Sequence, residues 1–404
     1  GLHAELWLGG RVKGKAEVQG GRRLLQQPRG LHLASDGSLL VADFGSHCVL
    51  RFARGDAKGA VVAGEPGRAL QPPDPLKDID RPLGPAEGEG YRLMRPLDVC
   101  QNSQGDVLVL DAAACRLQRF PMGGGPASTL APPPRGLPQK SAHGPEAIKG
   151  PRAVLLEASG DILLCDTWSH RILRYMKDGE AQTPEELAGT PNSCGRRADQ
   201  LAFPSCIALD AQGCLLVSDT NNHRIQRLAP GERSATTIAG SKDCAAGSGP
   251  GELNMPTGLC VDPRDGSVIV ADRGNKRVLR FQAKSCAGDA GEVLAGPDVL
   301  EHPWGVCLDS DGSVYVSDER KGVVLRLSVP GDNFQEAPAG GPAPGRQPQP
   351  VPEPDGGEVI VCDGDSAVEA AAHSPAPVAE PVAAGDACKM EHVPLISGDP
   401  MELD

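Results

Sequence analysis

Residues 203–228 read FPSCIALDAQGCLLVSDTNNHRIQRL. The apolar run Ile207 to Leu209 meets a tight turn at Gln212-Gly213. A second run, Leu215 to Val217, follows and closes on Asp219, and after the turn at Asn221-Asn222 a third run leaves from Ile225 to Leu228. Short apolar runs punctuated by Gly and Asn mark antiparallel strands joined by hairpins. The stretch predicts a β-meander.

The same text recurs along the chain. The Pro that opens each copy appears at Pro28, Pro96, Pro151, Pro204, Pro256 and Pro303, and the Asp that closes the second strand appears at Asp43, Asp111, Asp166, Asp219, Asp272 and Asp318. Turn signals sit between them at Asp36-Gly37, Gln104-Gly105, Ser159-Gly160, Gln212-Gly213, Asp265-Gly266 and Asp311-Gly312. A fourth strand follows most copies and ends in Ala-Gly, as at Ala63-Gly64, Ala188-Gly189, Ala239-Gly240 and Ala295-Gly296. Four antiparallel strands repeating every 45 to 55 residues or roughly so specify a β-propeller. Six copies predict an all-β fold of six blades spanning residues 1–330.

The motif P-x-G-[LIV]-x-[LV]-D-x-x-G-x-[LIV]-x-V-[AS]-D-x-x-N-x-[RK]-[IV], closest at Pro204 to Ile225 and Pro256 to Val278, resembles the NHL repeat. The resemblance implies a propeller that binds a protein or RNA, in the manner of the NHL domains of tripartite-motif and related RING-type ubiquitin ligases. This chain lacks the paired Cys/His ligands that a RING needs. Any ligase activity would have to come from another region or a partner, and the scaffold alone does not assign a role.

Glu5 to Gly9 reads as a fourth strand without its first three, whereas the copy from Pro303 to Leu327 supplies three without a fourth. Pairing them closes the ring and removes an exposed edge. A rival fourth strand at Gln335 to Gly340 contains Pro338 and is a poorer sheet former. The connector Glu65 to Met94 is long and rich in Pro and Gly, and reads as a solvated insertion.

Charge is unevenly divided. Residues 331–404 hold 14 acidic and 2 basic side chains of the totals of 53 and 40, leaving 39 and 38 for residues 1–330. The expected propeller is therefore near neutral. The tail, with 12 of the 38 prolines, reads as disordered, although DGGEVIVCD from Asp355 to Asp363 resembles a strand of the fifth copy and is weighed as a decayed seventh repeat. The 13 cysteines form no Cys-x-x-Cys pair, and Cys165 and Cys206 stand where sibling copies carry Ala, Ser or Gly. They read as small packed thiols in a reducing, cytoplasmic setting. Neither a transmembrane run nor a signal peptide is seen, and because the chain begins at Gly1 without Met an upstream domain stays open.

In a propeller, the connectors between blades and the turns from second to third strand emerge on one face. Residues just after each Pro and each Asp therefore share it: Arg29, Phe44, His47, Arg152, Trp168, His170, Asn221, His223, Arg273, Lys276, Trp304, Arg320 and Lys321. This basic and aromatic surface suits an acidic or aromatic peptide, or phosphates and bases. Arg29, Trp168 and Trp304 are expected to cluster on an exposed rim. His47, His170 and His223 hold one repeat position and read as architectural. The six Asp residues are expected to accept N–H groups of the following turn and to pair with Arg116, Arg171, Arg224 and Arg277, five residues on in four copies.

Enzymatic readings find less support. Lyases of the peptide-amidating kind, which share the repeat, place zinc-binding His near the starts of the first strands, and none follows an opening Pro here, where Arg29, Leu97, Arg152, Ser205, Thr257 and Trp304 stand. Propeller hydrolases use clustered carboxylates, whereas Asp98 alone breaks the row of small residues Gly30, Ala153, Cys206, Gly258 and Gly305. Gly9 to Lys15 fits a phosphate loop only until Ala16, where Ser or Thr should hold magnesium. No G-x-S-x-G elbow supplies a nucleophile. The expectation is a binding platform without cofactor, catalytic residue or membrane partner.

Overall fold

The computed structural model describes residues 3–9, 25–54, 58–67, 92–131, 148–177 and 184–328. They form six four-stranded antiparallel sheets. Strand β1 (His3–Gly9) comes first. Blade one follows as β2 (Pro28–Leu33), β3 (Leu39–Asp43), β4 (Cys48–Phe52) and β5 (Ala60–Gly64), and blade two as β6 (Pro96–Gln101), β7 (Val107–Asp111), β8 (Arg116–Phe120) and β9 (Ser128–Ala131). Blade three is β10 (Ala153–Leu156), β11 (Ile162–Asp166), β12 (Arg171–Tyr175) and β13 (Glu185–Gly189). Blade four is β14 (Ile207–Leu209), β15 (Leu215–Asp219), β16 (Arg224–Leu228) and β17 (Thr236–Gly240). Blade five is β18 (Pro256–Val261), β19 (Val268–Asp272), β20 (Arg277–Phe281) and β21 (Glu292–Ala295). Blade six has β22 (Pro303–Leu308), β23 (Val314–Asp318) and β24 (Val323–Ser328), and takes its fourth strand from β1.

That last pairing is the expected ring closure, running antiparallel from His3 opposite Ser328 to Gly9 opposite Val323. The rival strand at 335–340, the repeat-like segment at 355–363, the acidic tail and most of the connector 65–94 lie outside the described residues, as does nearly all of the segment 9–16.

Burial explains why the second strands read as unbroken apolar runs. Each of β3, β7, β11, β15, β19 and β23 is buried at all five positions, because both of its faces meet a neighbouring blade. The core is accordingly split into six sectors, one per interface. Leu40, Ala42 and Val49 of blade one pack on Val99, Val107 and Phe120 of blade two, and corresponding clusters join each later pair. The sixth sector joins Tyr315 and Val324 to Leu39, Val41 and Phe52, so the ring closes through its core as well as through its sheet. Each buried Leu or Phe contributes about 1.5–3 kcal/mol. The low aromatic content, 3%, is matched by Leu, Val and Ala in these narrow interfaces.

One hinge recurs on the far side of each blade. Gly37, Gly105, Gly160, Gly213, Gly266 and Gly312 all adopt positive φ between the first two strands, which L side chains avoid.

Candidate binding face at the channel mouth

Each second strand of blades one to five hands over to a single turn of 3-10 helix and then to one residue in the left-handed region: His47, Cys115, His170, His223 and Lys276, with φ between 48° and 58°. In blade six Gly322 takes that conformation. The three histidines are architectural in a specific way. Nδ1 of His47 accepts the Arg95 N–H at 3.2 Å, Nδ1 of His170 that of Phe203 at 3.2 Å, and Nδ1 of His223 that of Met255 at 3.0 Å. Each donating residue precedes the opening Pro of the next blade and has positive φ itself. A neutral imidazole thus pins one blade to the next, and burial holds all three histidines below their ordinary pKa.

The strand-end aspartates form the second joint, with a correction to their expected partners. Their backbone donors lie mainly 16 to 18 residues upstream, before the opening Pro: Gln26 and Gln27 for Asp43, Met94 for Asp111, Lys149 for Asp166, Ala202 for Asp219, Asn254 for Asp272, and Glu301 and His302 for Asp318. The following turn donates mostly through side chains, Ser46, Asn222 and Asn275, and through the backbone only at Arg320 and Lys321. The Arg pairings hold in four blades at 2.7–2.8 Å. These carboxylates knit the fold.

Inside this frame, Arg29, Arg152 and Trp304, each following an opening Pro, meet at the mouth of the central channel. Arg29 lies with its guanidinium 3.7 Å from the Phe44 ring and 4.3 Å from the Trp304 ring. Arg273 stands 5.2 Å from Trp304, and Arg152 of blade three reaches across the ring to within 5.7 Å of it. Arg95 lies 5.6 Å from Phe44. Phe44 and Trp304 join Leu97 and Ala112 in a small apolar cluster that caps the channel. Glu319 is set among these cations: it pairs with Arg29 at 2.9 Å and with Arg273 at 2.5 Å, and His302 lies 3.5 Å away. Burial pushes the Glu319 carboxyl up, but Arg29 and Arg273 outweigh it and hold the group below the usual carboxylate range.

The expected rim residues therefore separate into two sets. Arg29, Phe44, Arg152, Arg273 and Trp304 converge, whereas Trp168, Asn221, Lys276 and Arg320 stand exposed around them. The anticipated exposed trio does not form. Arg29 and Trp304 are 5% and 7% exposed, while Trp168, 43% exposed, lies against Gly150 beside its own blade. Glu319 and Arg95 were not singled out from sequence. Glu319 follows a strand-end Asp, where the siblings are Phe44, Ala112, Thr167, Thr220 and Arg273, so the repeat register alone could have placed it on this face.

Below the cap, the six first strands enclose a cavity of about 470 Å3. Asp98 projects over Gly30 and accepts the Val99 N–H and, from blade three, the Val154 N–H, each at 2.9 Å. Protein surrounds the carboxyl although it touches channel space, and burial raises its pKa to about 7. No three metal-ligating side chains converge among the described residues.

Six radial four-stranded blades, closed by a strand from the other end of the chain, define the class as a six-bladed β-propeller. The NHL repeat family matches residues 25–52, 201–228, 253–281 and 300–322, which fall in blades one, four, five and six. Four of its six blades thus carry NHL repeats. The chain is similar to the protein Brain tumor of Drosophila melanogaster, 29% identical over 119 residues, which cover 29% of this chain and 10% of that protein. In fold it resembles a protein of unknown function from Bacteroides thetaiotaomicron (TM-score 0.54, 12% identity, 81% of this chain and 76% of the other). It also resembles a gluconolactonase from Xanthomonas campestris (TM-score 0.51, 14% identity, 76% and 87%). At such identities the likeness concerns the fold.

Proposed function

We propose that this propeller is a non-enzymatic platform that captures a protein ligand on the face bearing the channel mouth. The observation that carries the reading is the convergence of Arg29, Arg95, Arg152 and Arg273 from four blades on Phe44 and Trp304, ringed by exposed Trp168, Asn221, Lys276 and Arg320. Half-buried arginines around an apolar cap, with the exposed Trp168 and a polar rim beside them, are the kind of side chains that anchor protein interfaces. The likeness to RING-linked propellers supports a role in substrate recognition for a ubiquitin ligase system, the catalytic module being supplied from outside residues 1–330. A reducing, cytoplasmic setting fits the scattered cysteines.

The experiment is partner capture by the immobilised chain, identified by mass spectrometry, in parallel with Trp168→Ala/Arg320→Ala on this face and Val61→Ser/Val293→Ser on exposed positions of outer strands. A partner lost with the first pair and kept with the second, at unchanged melting temperature, is the expected result. Capture indifferent to the first pair removes the proposal. RNA in the captured fraction, released as salt rises from about 50 to 200 mM, would replace protein by nucleic acid as the ligand.

A further inference from the structure

We infer that the channel below the cap is a second binding site, independent of the platform reading above: it takes a small free amine with an apolar body, whose ammonium group seats on the Asp98 carboxylate.

The cavity is closed at the mouth and open at the other end. Arg29, Leu97 and Trp304 are buried at the mouth. One residue further in, Gly30, Gly258 and Gly305 bring neighbouring first strands so close that a Cβ on any of them would strike the backbone of the next blade. Towards the far face the wall opens. Leu33, Leu156, Leu209, Val261 and Leu308, each five residues after an opening Pro, line the cavity and are half-buried. Asp98 stands two residues after its Pro, so at the rise of a strand it lies roughly 10 Å below that apolar ring.

Asp98 is the charge set at the closed end. Its two oxygens accept the Val99 and Val154 N–H groups, which leaves each a further lone pair, and among the described residues no cation pairs with it. The other ionisable groups of the wall do not compete for a cation. Glu157 pairs with Arg174 at 2.7 Å. His32 is kept neutral by burial and by Arg51, which bring its pKa to about 4, and burial likewise keeps Cys206, Cys260 and Cys307 as thiols. Arg152 borders the cavity at the cap, within 5.7 Å of the Trp304 ring.

A carboxylate without a cation in an apolar wall favours an ammonium group that donates to its free lone pairs, and the leucine ring then covers an apolar body. The volume of about 470 Å3 lies within the range of small-molecule pockets. Depth excludes a peptide as the source of the amine, because the four-carbon stem of a lysine on a chain lying across the opening is too short to reach Asp98.

The test is isothermal titration calorimetry of n-hexylamine on the full chain, at about pH 8 where a carboxyl of pKa about 7 is ionised, in about 150 mM salt. Hexan-1-ol, hexanoate and butylamine are the comparison ligands. Hexylamine should bind about tenfold or more tightly than hexanol, hexanoate should not bind, and butylamine should lose about fourfold for each methylene removed. Asp98→Asn should bring hexylamine to the level of hexanol. Asp243→Asn, at an exposed carboxylate, and Trp168→Ala/Arg320→Ala, at the platform, should each change the affinity less than about twofold. Equal affinity for hexylamine and hexanol overturns the inference, as does a folded Asp98→Asn that binds hexylamine like wild type. Tighter binding of Nα-acetyllysine methylamide than of hexylamine would also overturn it, by giving the site to a peptide. If the melting temperature shows that Asp98→Asn does not fold, the head-group and chain-length series on the unaltered chain decides.

Discussion

Replacing Arg224 by Met should loosen the whole ring by more than an exposed ion pair ever could. Asp219 is fully buried and holds the Ala202 N–H at 2.6 Å, the Asn222 amide at 2.9 Å and the Arg224 Nε at 2.8 Å. Arg224 in turn donates to the carbonyls of Arg196 and Arg197 at 3.0 and 3.2 Å, tying down the connector that leads into blade four. Met preserves the packing of the stem and removes every one of these donors. A buried carboxylate that loses its cation costs about 3–5 kcal/mol. For a cooperative unit of about 300 residues, with an unfolding entropy of about 2.1 cal/mol/K per residue, 4 kcal/mol corresponds to a fall of about 6 °C in melting temperature. Calorimetry and urea titration on Arg224→Met and on Arg224→Met/Asp219→Asn give the assay. The double variant should recover part of the loss, because the buried charge is gone. A loss below about 1 kcal/mol in the single variant would refute the reasoning and reduce the Asp–Arg joint to the value of a surface pair.

Other outcomes follow from the same geometry. His47, His170 and His223 have folded pKa values below their unfolded value of 6.5, so the unfolded chain protonates first; stability should be full above pH 6.5 and decline as pH falls below it. His223→Asn, which tolerates the left-handed conformation, should flatten part of that decline in urea titrations from pH 5 to 8. Asp98 has the opposite sign. Its folded pKa of about 7 lies above the unfolded 3.8, so its contribution is present at low pH and lost as pH rises toward 7, by at most about 4 kcal/mol before channel water screens it. Asp98→Asn should therefore be more stable than wild type at pH 8 relative to pH 5, and a constant difference across that range would contradict the burial argument. Gly30→Ala should cost about 1–3 kcal/mol, because its Cβ would meet Asp98 and the Leu97 carbonyl oxygen at 2.7 Å, and a neutral result by thermal melting would show that β6 can withdraw.

Two rulers, Pro and Asp, were enough to count six blades because each marks a joint that every blade needs. The closing strand was legible too, since Glu5 to Gly9 and Pro303 to Leu327 each lacked what the other supplied. The mouth was legible only in outline. Registers place Arg29, Arg152 and Trp304 on one face, but their meeting depends on how wide a six-fold ring is, which no local pattern encodes. At that width Arg152 spans the channel to Trp304, and the tryptophan becomes a buried cap rather than an exposed contact. The Asp partners were misplaced for a related reason. Their donors lie upstream of the Pro, and only the fold brings the connector back beneath the strand end.

The pairing of β1 with β24 sets a timetable for assembly. His3 and Ser328 are partners across nearly the whole propeller, and closing a loop of that length carries a logarithmic entropy cost of about 5 kcal/mol. On a ribosome adding about 5–20 residues per second, β1 emerges roughly 15–60 s before β24 exists. Through that interval it is an unpaired strand beside growing blades whose own edges compete for it. Blade six cannot be whole until synthesis has passed Ser328, so a nascent chain stalled earlier presents both an orphan strand and an open ring to the cell's chaperones.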